Sequence, residues 1–180
     1  MHPARHRALR ELGAFGRQMA DHWGALAGKF DGPAGDALRD GSQTARDVVD
    51  ELKTHARARD LEVGPAALFA GRAARARPLA PDRALERNQA LRFALLDAQH
   101  VLTLVDYLAE LALADDDAEA HAACAAWANR LRESERAVRR QAVDIGKHPD
   151  DAIEPISPVQ KVQYAIGWLG EATDRLRGRR

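Results

Sequence analysis

Cysteine occurs once in this 180-residue chain, at Cys124. That excludes an intrachain disulfide and a cysteine-based metal cluster, and makes a reducing cytoplasm the expected compartment. Lysine is scarce too, found only at positions 29, 53, 147 and 161, so nearly all the cationic side chains are arginine. Together with the alanine content, this reads as GC-rich bacterial coding bias more readily than as phosphate recognition. Aromatic residues make up 5% of the chain against 46% hydrophobic, so the apolar mass is largely Ala and Leu, which favours helices. Charge of neither sign prevails: the formal net charge is +0, and nothing steers the whole chain towards nucleic acid or an anionic membrane. No apolar run approaches the roughly 18 residues of a membrane span. The opening "MHPARHRALRELGAF" is basic like a signal peptide, but Arg10, Glu11 and Arg17 interrupt any apolar stretch. The expectation is a soluble cytoplasmic protein.

What the sequence does contain is helical periodicity, with no strand pattern and no internal repeat. Over about 4–30, Leu12, Gly16, Met19, Trp23, Leu26 and Phe30 step by fours and threes, the spacing of a bundle seam. "DGPAG" at 31–35 breaks that helix. A second helix over about 36–60 carries Leu38, Ala45, Val48, Val49, Leu52 and Ala56 on one side, with Gly41 and Ser42 as a weak point. Residues 61–81 form a long joint with room for one short helix near 65–76. A third helix runs from Asp82, a candidate N-cap, to about 113. A fourth opens on "ADDDAE", acidic side chains at the positive end of the helix dipole. Its seam is Ala120, Cys124, Trp127, Leu131, Ser134, Val138, Gln141 and Ile145. "GKHPDDAIEP" ends it, and "SPVQ" at 157–160 starts a last helix over about 157–178, with Val162, Ile166, Leu169 and Leu176 on one face. The predicted fold is all-α: one domain over 1–180, a four-helix bundle over about 4–146 with a long joint between helices 2 and 3, and an additional C-terminal helix.

Joint lengths bear on topology. Helices 1–2 and 3–4 are tightly joined and should be antiparallel pairs, while the 2–3 joint is long enough either to cross the bundle or to cap one end. Four histidines, His22, His55, His100 and His121, fall one per long helix, and Glu51, Asp97 and Asp117 each precede one by a turn. Carboxylate and imidazole a turn apart face the same way, which is how a bundle builds a metal site. His55 and Asp106 lie about 8 and 9 residues past their helix midpoints and His121 about 9 before its own, so a crossover brings all three to one level. Their faces disagree with that: at about 100° per residue, His55 and His121 lie some 80–90° off the apolar seams. The hairpin, crossover, hairpin layout resembles ferritin-like bundles over about 4–146. That resemblance implies binding and oxidation of iron, or of another divalent metal, with Asp97, His100, Glu51, His55, Asp106 and His121 as candidate ligands. The ferritin-type Glu-x-x-His motif is replaced here by Glu51-x-x-x-His55, Asp97-x-x-His100 and Asp117-x-x-x-His121.

Helix 3 has two apolar stripes. One is Leu91, Leu95, Ala98, Leu102, Val105 and Ala109; the other is Phe93, Leu104, Leu108 and Leu111, in line with Asp97 and His100. A helix apolar on two sides has to be covered on two sides. The bundle covers one, and the C-terminal helix or a second protomer covers the other, with Asp97 and His100 paired beneath that cover. Cys124 sits in a seam as an inert thiol, and Trp23, Trp127 and Trp168 are packing residues. Arg57, Arg59, Arg72, Arg75 and Arg77 form a basic patch whose simplest role is a solvated face, and the Asp115–Asp117 run is accounted for by the helix start. There is no Gly-rich phosphate loop, Ser/His/Asp context or HExxH. The function expected is that of a non-catalytic bundle protein needing no cofactor and forming a homo-oligomer, most simply a dimer.

Overall fold

The computed structural model describes residues 2–58 and 85–156. The short helix expected near 65–76, the candidate N-cap Asp82, four of the five arginines of the basic patch and the helix expected over 157–178 lie outside the described residues. Four long helices dominate: α1 (Pro3–Ala27), α2 (Pro33–Arg57), α3 (Arg87–Ala114) and α4 (Ala118–Asp144). A 3₁₀ turn (Ile145–Lys147) and the one-turn α5 (Pro149–Ala152) follow. No strand occurs among the described residues, only an isolated bridge between Glu86 and Pro155.

The helix ends follow from local chemistry. α1 opens on Pro3, with the His2 ring nitrogen accepting the Ala4 N–H at 3.2 Å. Pro33 starts α2 as well as stopping α1, so α2 begins three residues earlier than the sequence suggested. The residue before it, Gly32, has φ +66° and ψ −148°, a conformation that needs glycine. α3 starts at Arg87, later than Asp82, where Gln89 reaches back to accept the Glu86 N–H at 3.2 Å. Asp117 caps α4 by accepting the Ala120 N–H at 2.9 Å. Pro149 likewise begins α5 at the point where it was expected only to terminate α4.

Contacts along the helices fix their directions. Gly13 approaches Leu52, and Gly16 approaches Val49, while Ser42 Oγ donates to the Ala20 carbonyl, so α1 and α2 are antiparallel. Trp23 Nε1 donates to the Ala94 carbonyl at one end of α1, and Arg5 meets Asp115 and Asp117 at the other, so α1 and α3 are antiparallel. Glu51 meets Trp127 and Gly41 approaches Ser134, so α2 and α4 are antiparallel. Around the bundle the order is α1, α2, α4, α3. α2 and α3 therefore point the same way: the chain leaves α2 at one end of the bundle and enters α3 at the other, where Arg87 stacks on Phe30. These are the directions a crossover requires.

One cluster of buried side chains joins all four helices. The α4 seam runs as the sequence implied, through Ala120, Cys124, Trp127, Leu131 and Val138. On α3 the seam is different from either expected stripe: Leu91, Ala94, Ala98, Val101, Val105, Leu108 and Ala112 face inward at alternating steps of three and four. This line passes between the two stripes and takes the inner members of each. α2's presumed weak point is a close helix contact, with Gly41 beneath the fully buried Trp23 ring and Ser42 tied to α1. No described helix is long and apolar enough to cross a membrane.

Candidate functional site

Each sequence-derived candidate can be placed through its helix and partner. Asp97 is not paired with His100. It lies between α3 and α1, where its Oδ2 is 2.5 Å from His22 Nδ1, and both side chains are largely buried, at 14% and 8% exposure. His100 is exposed, its ring edge-on to Phe15 at 4.3 Å between centroids. A three-residue step turns the helix by about 300°, so His100 sits about 60° round from Asp97 and away from the seam. The couple expected within one helix is in fact a couple between two helices. In the sequence His22 is only one histidine of four, since a partner 75 residues away has no local signature.

Glu51 and His55 both reach Trp127. Glu51 Oε2 accepts the Trp127 indole N–H at 2.8 Å and an Arg130 N–H at 2.6 Å, and its Oε1 accepts a second Arg130 N–H at 2.8 Å. Hydrogen bonds from the Arg130 guanidinium hold this carboxyl below the usual glutamate range. His55 stands edge-on to the Trp127 ring, 6.0 Å away. Asp106 is engaged by Arg132, one Nη2 lying 2.6 Å from Oδ1 and 2.8 Å from Oδ2. His121 is half-buried in the first turn of α4, its backbone N–H donating to the Asp117 carbonyl.

Glu51 and His55 share Trp127, but the candidates do not converge on one point. α4 has α2 on one flank and α3 on the other, so His55 and Glu51 approach it from one side and Asp106 from the opposite side. Among the described residues, no three His, Cys, Asp or Glu side chains come together as a group able to hold a metal ion. Glu51 and Asp106 are each neutralised by an arginine, which takes the lone pairs a cation would use. Cys124 is buried, and burial pushes its thiol up to about 11, which leaves it protonated and unreactive at neutral pH.

The acidic turn does more than start a helix. Arg5, 4% exposed, donates to Asp117 at 2.6 Å and to Asp115 at 3.3 Å. Asp117 thus caps α4 with one oxygen and holds the first turn of α1 with the other. Sequence alone gave no hint of this, because Arg5 resembles any other arginine near the start of the chain.

The outer face of α3 is the other feature that stands apart. Phe93, Leu96 and Tyr107 are large side chains left 46%, 48% and 49% exposed. Successive turns of the helix bring them, with His100, onto one side. Beside them is an open groove of about 380 Å³ lined by Leu85, Gln89, Arg92, Phe93 and Leu96. Of the second stripe expected on α3, only Phe93 lies on this face: Leu104 and Leu108 belong to the core and Leu111 is half-buried, while Leu96 and Tyr107 come from outside the stripe. No family model matches the chain, and neither a curated protein nor a solved structure is significantly similar to it.

Proposed function

We propose that this protein is a non-catalytic helical bundle that acts by association, in the first instance with a second copy of itself. The observation carrying this is the outer face of α3, where three large apolar or aromatic side chains face solvent in line. Burying such a surface is favourable by about 25 cal/mol per Å², and an exposed apolar patch is a common mark of an interaction site. The carboxylates of the candidate set are tied up: Asp97 with His22, Glu51 with Arg130 and Trp127, Asp106 with Arg132. In this reading they pin helices to one another, and no cofactor is needed. Sedimentation velocity across the micromolar range tests it. A concentration-dependent dimer weakened by Tyr107→Glu is expected, and a monomer at every concentration would refute it.

A second reading has one observation in its favour. The directions of the four helices, with α2 and α3 parallel, are those of a ferritin-like layout, and a diverged member could bind iron or another divalent metal. Metal analysis of the purified protein separates the readings. Stoichiometric iron, manganese or zinc that is lost in Glu51→Gln or His55→Ala would favour the metal protein.

A further inference from the structure

The described chain ends beside the groove at Phe93. At the end of the described residues, the Ile156 N–H donates to the Leu85 carbonyl at 3.1 Å, and Arg87 N–H donates to the Glu154 carbonyl at 2.8 Å. Leu85 lines the groove. The chain is thus delivered to the rim of the groove by main-chain hydrogen bonds.

We propose that residues 158–170 dock as a helix over Gln89–His100, in the same molecule and parallel to α3. The sequence that follows the rim suits this. Ser157, Pro158 and Gln160 have the residue types of a helix start, and Val159, Val162, Ile166 and Leu169 recur at steps of three, four and three. From Pro158 to Leu169 is eleven helical steps, about 17 Å, and so is Gln89 to His100. A segment tethered at the rim has an effective concentration in about the millimolar range, which favours it over a second copy for this half of the face. With Phe93 and Leu96 covered by 158–170, self-association would use the Tyr107 end of the face alone, the end at which Tyr107→Glu tests it. The proposal does not rest on self-association, which is tested separately by sedimentation.

Hydrogen exchange on the full chain, read by mass spectrometry, tests the docking. Amides in 159–169 should exchange at least about tenfold more slowly than unstructured peptide, to the same extent at low and high protein concentration. Leu96→Asp, at a half-exposed position, should abolish that protection while leaving amides 101–112 of α3 protected. Ile166→Asp should do the same from the opposite partner, and decides the matter if Leu96→Asp disturbs the bundle. An unprotected segment in the parent chain, or protection that survives both variants, would overturn the proposal. Protection that grows with concentration would also overturn it, by assigning the cover to a second copy.

Discussion

Gly41→Ala should destabilise the protein although it improves helix propensity. In an exposed helix, replacing glycine by alanine gains about 1 kcal/mol. At position 41 the added Cβ would run into two carbons of the Trp23 ring. That ring is fully buried, and its N–H is committed to the Ala94 carbonyl at 3.0 Å. Relief requires either α1 and α2 to separate or the indole to shift. Overpacking of this kind costs about 1–3 kcal/mol, and a lost buried hydrogen bond costs about 1–3 kcal/mol more. Subtracting the propensity gain leaves a net loss of about 1–5 kcal/mol. Gly13→Ala is the matched control: it is also in a helix facing the bundle, but its Cβ would meet only ordinary contacts, at 3.6 Å and beyond. It should be neutral or stabilising by up to about 1 kcal/mol. Urea denaturation followed by far-ultraviolet circular dichroism measures both. In a double-mutant cycle, Trp23→Phe should remove part of the Gly41→Ala penalty, with a coupling of about 1 kcal/mol or more. If Gly41→Ala were as stable as Gly13→Ala, the close approach of α1 and α2 described here would be wrong.

Three further outcomes follow from the same contacts. Asp97→Ala should lose about 1.5–3 kcal/mol by stranding a largely buried partner in His22, whereas His100→Ala should stay within about 0.5 kcal/mol; equal losses in urea melts would restore the pairing within α3. Glu51→Gln should destabilise by at most about 1 kcal/mol at neutral pH, since half the side chain is in water. Because the folded carboxyl titrates below its ordinary value of 4.5, the stabilisation is complete above that value and lost as pH falls through the lower folded one. The stability gap between parent and variant should therefore close in acid, and a gap unchanged from pH 7 to pH 3 would contradict the ion pair. Cys124, with its thiol near 11, should react with iodoacetamide at pH 8 more than about a hundredfold slower than an exposed thiol, until denaturant is added; rapid labelling of the native protein would contradict its burial.

The periodic parts of the structure were legible in the residues. The seam of α4 could be read directly because its large apolar residues are few and its flanks are charged, so only one phase fits. The seam of α3 could not, because apolar residues surround most of that helix and several phases fit almost equally well; the bundle selected the one lying between the two apparent stripes. Pro33 and Pro149 were recognised as breaks, but each also begins the next helix, since a proline missing its N–H is harmless in a first turn. Gly41 looked like a defect because propensity counts only the isolated helix, whereas its lack of a side chain is what admits Trp23.

The polar pairs divide the same way. Asp97 was identified as a residue needing a partner, but the partner came from α1, and Glu51, Asp106 and Arg5 likewise found theirs on other helices. Helix positions and the all-α class are set by order along the chain, because backbone hydrogen bonding and hydrophobic periodicity act over a few residues. Helix direction, the choice of core seam and the partners of Arg5, Asp97 and Glu51 depend on contacts between residues tens of positions apart. These exist only once the helices have packed, so the tertiary structure alone decides them.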